Sequence, residues 1–184
     1  MARGKFITLE GLSGVGKTTI ARKLAQASVK NVYVKTPSEL FRKSREEVDG
    51  GKYSTQARFF YYLAGLVRSS DEINDIVKTG LNVICDRYIW TTVCWHETIG
   101  FPGYKYVPEI LTPDYEILIT CPTEERHHRL FSRDEFTIND SDELRNGIEE
   151  IFFEKLQSRH KVLIENTGDV DLVVEKIRKE YLGQ

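Results

Sequence analysis

Cysteine is scarce in this sequence of 184 residues: only Cys85, Cys94 and Cys121 occur, and no two of them form a C-x-x-C pair. This pattern argues against a zinc site and against a disulfide framework, and it is typical of a protein of the reducing cytoplasm. The sequence also lacks any apolar run that approaches the ~20 residues of a membrane helix. No leader pattern precedes the first apolar strand, so we expect a cytoplasmic protein without a membrane partner.

An excess of positive charge is absent as well, since the formal net charge at pH 7 is −2. A broad surface for nucleic acid or for an acidic membrane is therefore not expected. The length favours a single domain, residues 1–184, with room for a full hydrophobic core. Local clusters of basic residues can still bind phosphate groups.

The most informative segment that is present runs from Gly11 to Thr18 and reads GLSGVGKT. It fits G-x-x-x-x-G-K-[ST], the phosphate-binding P-loop, in which glycines let backbone N–H groups converge on crowded phosphate oxygens. Lys17 can reach the β- and γ-phosphates, and the Thr18 hydroxyl suits a Mg²⁺ ion. An apolar strand precedes the loop and a helical pattern follows it, so the helix dipole adds to the anion site. The predicted ATP-binding residues are Gly11, Ser13, Gly14, Val15, Gly16, Lys17, Thr18 and Thr19.

Short apolar runs alternate with helical patterns along the whole chain. The predicted strands cover residues 5–10, 32–36, 81–85, 115–120 and 161–165. The predicted helices include residues 39–48, 55–70, 71–78, 88–96, 123–133 and 142–159. Because this alternation builds a parallel sheet with helices on both faces, the sequence predicts an α/β three-layer sandwich of the P-loop NTPase type, with a five-stranded parallel sheet. Ligands of such sheets lie beyond the carboxyl ends of the strands.

Asp86 and Arg87 follow the third predicted strand. A carboxylate at a strand end can hold Mg²⁺ through water or accept a proton from an attacking oxygen. A guanidinium in the same crevice can bind phosphate through two parallel hydrogen bonds. The alternative is a solvated ion pair, but the pair follows a strand in a P-loop pattern, which favours the functional interpretation.

Three arginines, Arg126, Arg129 and Arg133, have i, i+3, i+7 spacing and therefore share one face of a predicted helix. A polar loop follows them. Phosphoryl transfer needs cations that close over the transferring group and exclude water. We therefore expect an arginine-bearing lid at about residues 123–145, with a solvated basic face as the alternative.

These motifs make the chain resemble the thymidylate kinase family of nucleoside monophosphate kinases and, less closely, the deoxynucleoside kinases. The resemblance rests on FITLEGLSG at 6–14, Asp86-Arg87-Tyr88, Pro113-Asp114-Tyr115, and Cys121-Pro122 ahead of the basic helix. Arg129 and Arg133 match the paired lid arginines of the family with an offset of one residue. The resemblance implies Mg-ATP as the donor, an acceptor that carries a phosphate, and a homodimer.

Three departures from the family pattern fall where the family holds its acceptor. Ser13 stands where the P-loop of the family usually carries Asp, and Lys35-Thr36-Pro37 stands in place of Arg-Glu-Pro. In the helix motif that stacks on the base, Tyr62 keeps the aromatic ring but Leu66 replaces the arginine that grips the acceptor phosphate. A buried phosphate without its arginines is costly to hold. Either Lys35 and Arg87 suffice, or the acceptor is uncharged.

The predicted reaction is transfer of the γ-phosphoryl group of Mg-ATP to a nucleoside monophosphate of the thymidylate type. The alternative acceptor is a nucleoside, a deoxynucleoside or a non-nucleotide hydroxyl compound. A nucleotide switch is disfavoured by the arginine-rich lid, because switch proteins often borrow that charge from a partner. The predicted catalytic residues are Lys17, Asp86, Arg87, Arg129 and Arg133. The predicted acceptor-binding residues are Glu10, Lys35, Tyr62, Arg68 and Arg87, and Mg²⁺ is assigned to Thr18 and Asp86.

Replacing Lys17 with alanine is expected to lower the turnover rate by several orders of magnitude, because this ammonium neutralises phosphate charge in the transition state. The fold should be unaffected. A coupled ATP-turnover assay measures the first effect, and far-ultraviolet circular dichroism measures the second. Near-normal turnover would contradict the assignment of Lys17 to the phosphates.

Overall fold

Parallel strands form the middle layer of the computed structural model, which describes residues 2–132, 137–145 and 147–184, apart from the side chains of Arg42, Glu46 and Asn139. The strands are β1 (Phe6–Glu10), β2 (Asn31–Lys35), β3 (Asn82–Asp86), β4 (Tyr115–Thr120) and β5 (Val162–Glu165). They form one five-stranded sheet in the order β2-β3-β1-β4-β5. The predicted parallel α/β architecture is confirmed.

The helices cover both faces of this sheet. They are α1 (Lys17–Gln26), α2 (Glu39–Arg42), α3 (Arg45–Asp49), α4 (Thr55–Lys78), α5 (Ile89–Thr98), α6 (Thr123–Phe131), α7 (Ile138–Glu143), α8 (Ile148–Arg159) and α9 (Val170–Ile177). A short 3₁₀ turn covers Gly103–Tyr106, and a wider turn at Arg178–Leu182 follows α9. None of the helices in the described part of the chain combines the length and the apolar character needed to cross a membrane.

Side chains of alternate residues in β1 enter different apolar clusters. Phe6 of β1 and Val83 of β3 pack in one cluster with α4 and α5. Ile7 and Leu9 of β1 belong to a second cluster that contains residues of α1 and α9. This separation follows from the two-residue period of a strand, and it explains why every residue of β1 is buried.

The strand register brings two predicted site residues, Lys35 and Asp86, to one edge of the sheet. Leu9 of β1 lies opposite Asp86 of β3, and Asp86 lies opposite Lys35 of β2. The P-loop begins directly after β1, between the two neighbouring strands β3 and β4. The P-loop, Lys35 and Asp86 therefore share the crevice at the carboxyl ends of the strands.

One predicted helix break is wrong. The break predicted after Ser70 does not exist, because α4 continues from Thr55 to Lys78. The hydroxyl of Ser69 donates to the carbonyl of Gly65, and that of Ser70 accepts from the amide of Leu111, so both serines are satisfied inside the helix.

Three further segments differ from the predicted helices. The single helix predicted over 142–159 is divided into α7 and α8 by a turn at Gly147, which has a φ of +76°. α7 ends at Glu143, and Gly147, whose left-handed conformation suits glycine, directly precedes α8. The helix predicted over 39–48 is also divided, into α2 and α3. Finally, α6 ends at Phe131, and the predicted lid residues 133–136 lie outside the described residues.

Replacing Gly65 with alanine is expected to destabilise the protein by about 1–3 kcal/mol, although alanine favours helices. A Cβ atom at Gly65 would lie 2.6 Å from Cβ of Pro37 and 3.0 Å from Cγ of Phe41, so α4 and the segment after β2 would have to separate. Urea unfolding measures the change.

The neighbouring exposed residue Ala64 provides the matched control. Its replacement with glycine should cost about 1 kcal/mol through helix propensity alone. If helix propensity also governs position 65, Gly65→Ala will raise the free energy of unfolding, and the close contact is then unimportant.

Candidate active site

The P-loop is held in shape by side chains from distant segments. Asn166, which follows β5, donates from Nδ2 to the carbonyl of Val15 at 2.9 Å. Gly16 has a φ of +97°, and a Cβ atom there would lie 2.5 Å from Nδ2 of Asn166. Gly11 is similarly constrained, because its Cβ would lie 2.4 Å from the carbonyl oxygen of Ile119. Only glycine fits this loop at both positions.

Lys17 is buried at the start of α1. Its Nζ donates to the carbonyl of Leu12 at 2.6 Å. Burial, helped by the nearby positive charge of Arg87, lowers the pKa of Lys17 to about 7, although the carboxylate of Asp86 acts in the opposite direction. An ammonium with this pKa is poorly compensated by the protein alone, so a phosphate group is a suitable partner for it.

Thr18 and Asp86 meet across the crevice. Oγ1 of Thr18 donates to Oδ2 of Asp86 at 2.5 Å, and the hydroxyl of Tyr33 donates to the same oxygen at 3.3 Å. Asp86 is buried, and both Thr18 and Asp86 line the same cavity. One hydroxyl and one carboxylate are the oxygen donors that Mg²⁺ uses beside phosphates, so these two residues fit that ion.

Arg87 has an uncommon backbone conformation, with a φ of +69°. Its guanidinium donates to the carbonyl of Gly11 at 3.0 Å, to Oγ1 of Thr91 at 3.2 Å and to Oγ of Ser13 at 3.3 Å. A non-glycine residue in this region costs about 1–3 kcal/mol and is typical of functional sites. The conformation turns the chain sharply between β3 and α5 and keeps the Arg87 side chain against the P-loop.

Glu10 has a different position from the predicted one. Its side chain is completely buried and accepts from the amide of Tyr88 at 2.9 Å, the amide of Thr91 at 3.3 Å and the hydroxyl of Thr91. It therefore caps the first turn of α5 rather than lining the cavity. Glu10 thus fixes α5 and the turn at Arg87, and its assignment to acceptor binding stays a prediction.

A cavity of about 240 Å³, which we call the main cavity, opens beside the P-loop. Its lining includes the predicted residues Ser13, Gly14, Gly16, Lys17, Thr18, Thr19, Lys35, Tyr62, Asp86 and Arg87. Val15 is instead a core residue of the loop. Arg68 lies outside this lining: its side chain is 59% exposed and pairs with Glu72 at 3.1 Å. Its assignment to acceptor binding stays a prediction.

Sequence reasoning missed a charged cluster around the buried Asp49 beside the main cavity. Asp49 of α3 accepts from Nε of Arg45 at 3.1 Å, from Nη2 of Arg58 at 3.3 Å and from the hydroxyl of Tyr62 at 2.8 Å. Arg45, Arg58 and Tyr62 line the cavity. Arg58 was detectable, because it precedes Tyr62 by four residues and so shares its helix face. Nothing in the local sequence indicates Arg45.

Arg126 is a structural residue in the interior rather than an open lid cation. Its side chain is only 1% exposed, and Nη1 donates to the carbonyl of Ser13 at 2.9 Å and to Oε1 of Glu143 at 3.1 Å. A second ion pair joins it to Glu149. The same oxygen of Glu143 accepts from the amide of Ser13 at 2.8 Å. Arg126 thereby ties the P-loop to α7 and α8.

Of the two predicted lid arginines, Arg129 and Arg133, only Arg129 belongs to the described residues. Arg129 pairs with Glu125 at 2.9 Å and lines another cavity with Gly14, Gly16, Thr19, Asn166 and Gly168, which we call the second cavity. It does not line the main cavity. Arg133 lies outside the described residues.

His96 of α5 also lines the main cavity and was missed by sequence reasoning. Its side chain is 1% exposed, and burial lowers its pKa to about 4. Its Nδ1 lies 2.7 Å from the carbonyl oxygen of Thr92. The chain position of His96 gives no signal of this, since a lone histidine on a helix is more often a core residue.

Comparisons with known proteins agree with this geometry. The sequence profile of the thymidylate kinase family matches residues 9–177. A thymidylate kinase of Carboxydothermus hydrogenoformans is 30% identical over 156 residues, which are 73% of this chain and 74% of that protein. A probable thymidylate kinase of Methanococcus maripaludis is 26% identical over 168 residues, which are 89% of this chain and 83% of that protein.

The fold also matches a solved structure. The structure of thymidylate kinase from Candida albicans superposes with a TM-score of 0.75 and 19% identity, over 97% of this chain and 91% of that one. Parallel sheet, P-loop and strand-end carboxylate define a P-loop phosphotransferase. More particularly, the chain belongs to the thymidylate kinase family. It is thus an ATP-dependent nucleoside monophosphate kinase of the thymidylate type, an enzyme of nucleotide biosynthesis.

Acid is expected to destabilise the protein in part through His96. Its pKa is about 4 in the folded chain and 6.5 by its ordinary value, so the unfolded chain binds more protons between these pH values. The contribution of neutral His96 to the free energy of unfolding is complete above pH 6.5. It is lost as the pH falls toward 4, at about 1.4 kcal/mol per pH unit. Urea unfolding at pH 7, 6 and 5 should show a shallower pH dependence for His96→Leu than for the wild type. Parallel profiles for the two proteins would disprove the assignment.

Proposed function

We propose that the main cavity binds the monophosphate acceptor, with dTMP as the substrate, and that the second cavity binds the adenosine of ATP. The observation that carries this assignment is that both cavities share Gly14, Gly16 and Thr19 of the P-loop segment. A triphosphate bound along the loop would then extend from the second cavity toward the main one. Transfer of the γ-phosphoryl group would take place beside Lys17 and Asp86.

The donor phosphates would be held by the P-loop amides and by Lys17. The pKa of Lys17, about 7 in the described structure, should rise when a phosphate replaces the Leu12 carbonyl as its partner. Oxygens of Thr18 and Asp86 would hold Mg²⁺, which supplies neutralisation of phosphate charge. Asp86 also lies where it could accept the proton of an attacking phosphate oxygen.

The charge of the main cavity supports a phosphate-bearing acceptor over an uncharged one. Its described lining carries the basic residues Lys17, Lys35, Arg45, Arg58 and Arg87 against the acidic residues Asp86, Asp140 and Glu143. Even with the carboxylate of Asp49, which pairs with Arg45 and Arg58, the basic side chains here outnumber the acidic ones, which favours an anionic ligand. Arg45 and Arg58 would thus supply the positive charge that is lost where Leu66 replaces the arginine of the family pattern. The ring of Tyr62 offers a face for the base.

The remaining assignments are also proposals. Arg87, with Arg129 or Arg133, would neutralise the transferring phosphoryl group when the lid at about 123–145 closes. A homodimer, a cytoplasmic location, a single domain over 1–184 and the absence of a nucleic-acid partner stay predictions.

The decisive assay couples ATP turnover to a panel of nucleoside monophosphates, the matching nucleosides and a control without acceptor. We expect strong stimulation by dTMP and little by thymidine, because the cations of the main cavity require an anionic acceptor. Stimulation by nucleosides alone, or by nothing in the panel, would disprove the proposed acceptor.

Two arginine variants compare a residue that lines the main cavity with one that does not. Arg87→Gln should lower kcat/KM for dTMP at least about a hundredfold, because it removes a charged donor at the reacting phosphates. Arg68→Gln, on the exposed face of α4, should change it less than about twofold. Equal effects of the two variants would show that contact with the main cavity does not determine acceptor use.

A further inference from the structure

One ring nitrogen of His96 is satisfied by its own helix and the other is not. Nδ1 lies 2.7 Å from the carbonyl oxygen of Thr92. A carbonyl oxygen only accepts, so Nδ1 carries the ring hydrogen and Nε2 presents a lone pair. Within the described part of the chain, Nε2 has no hydrogen-bond partner.

The surroundings of His96 keep it neutral. Its ring packs against Phe59 with a centroid distance of 5.2 Å and against Tyr62 with one of 6.2 Å. Burial and the charge of Arg58 lower its pKa to about 4, while its hydrogen bond to Thr92 and the charge of Asp49 act in the opposite direction. A neutral imidazole with a fixed tautomer is a hydrogen-bond acceptor at Nε2 and nothing else.

A second histidine, His160, has the same unpartnered ring nitrogen at a different place in the fold. His160 makes the same bond, with Nδ1 2.6 Å from the carbonyl oxygen of Leu156, and its Nε2 likewise has no partner among the described residues. His160 does not line the main cavity, whereas His96 does. An unpartnered nitrogen alone therefore indicates no ligand, and the location of His96 beside Tyr62 in the cavity distinguishes the two.

We propose that His96 selects the base of the acceptor by accepting a hydrogen bond at Nε2 from a ring N–H. This inference rests on the proposed function, since it requires that the acceptor base enters the main cavity beside Tyr62. Thymine carries a hydrogen on N3, whereas cytosine presents a bare, accepting N3. Two acceptors facing each other leave both unsatisfied, so His96 favours thymine and rejects cytosine.

The test compares two acceptors that differ only in this edge of the ring, dTMP and 5-methyl-2′-deoxycytidine monophosphate. kcat/KM for each is measured with the wild type, His96→Leu, His96→Gln and the control His160→Leu. His96→Leu should lose about tenfold to a hundredfold with dTMP and almost nothing with the methylcytosine nucleotide. Its KM for ATP should not change.

The other variants complete the test. His96→Gln should recover part of the dTMP activity and accept the methylcytosine nucleotide better than the wild type, because an amide can turn either its oxygen or its N–H to the base. His160→Leu should leave the preference for dTMP unchanged. Calorimetric titration with each monophosphate gives the same comparison for binding, and circular dichroism verifies folding.

The possible failures are distinguishable. If His96→Leu loses equally with both acceptors, His96 only supports the fold, and the inference is wrong while the proposed function stands. A wild type that uses dTMP and the methylcytosine nucleotide equally well also overturns the inference alone. If the folded wild type phosphorylates no monophosphate, both the inference and the proposed function are wrong.

Discussion

The site depends on one constraint, which is that carbonyl oxygens of the P-loop are held by side chains from later in the chain. Arg87 binds the carbonyl of Gly11, Arg126 binds that of Ser13, and Asn166 binds that of Val15. Because the C=O and the following N–H of a planar peptide point in opposite directions, a carbonyl held in this way turns the next amide the other way. The cradle for a phosphate is therefore built by the rest of the fold as much as by its own glycines.

The same three side chains connect the cradle to the elements around it. Arg87 belongs to the turn that Glu10 stabilises through the first turn of α5. Arg126 joins the loop to α7 and α8 through Glu143 and Glu149. A change in α7 or α8 can thus reach the phosphate site through packed, hydrogen-bonded groups. The main cavity has its own charged cluster, in which the buried Asp49 holds two arginines at the cavity wall.

Much of the fold and half of the site could be predicted from local patterns. The alternation of apolar runs and helices predicted the parallel sheet, and the strand ends located Lys35 and Asp86 at one edge. The sequence could not show that Arg68 lies outside the lining of the main cavity. Helix spacing gives the direction of a side chain but not the groups that surround it. The helix break predicted at Ser70 failed because buried hydroxyls found partners in the helix and in a distant loop.

By itself, the sequence determined the P-loop chemistry, the parallel architecture and the departures at Ser13 and Leu66, because each is encoded by neighbouring residues. Only the tertiary structure decided the surroundings of the charged and polar side chains. Arg126 is buried, and Arg58 and Arg45 share Asp49. His96 lines the main cavity, whereas His160 does not. The physical reason is that these partners are far apart along the chain or on different elements. Their energies depend on burial and on distances that only packing sets.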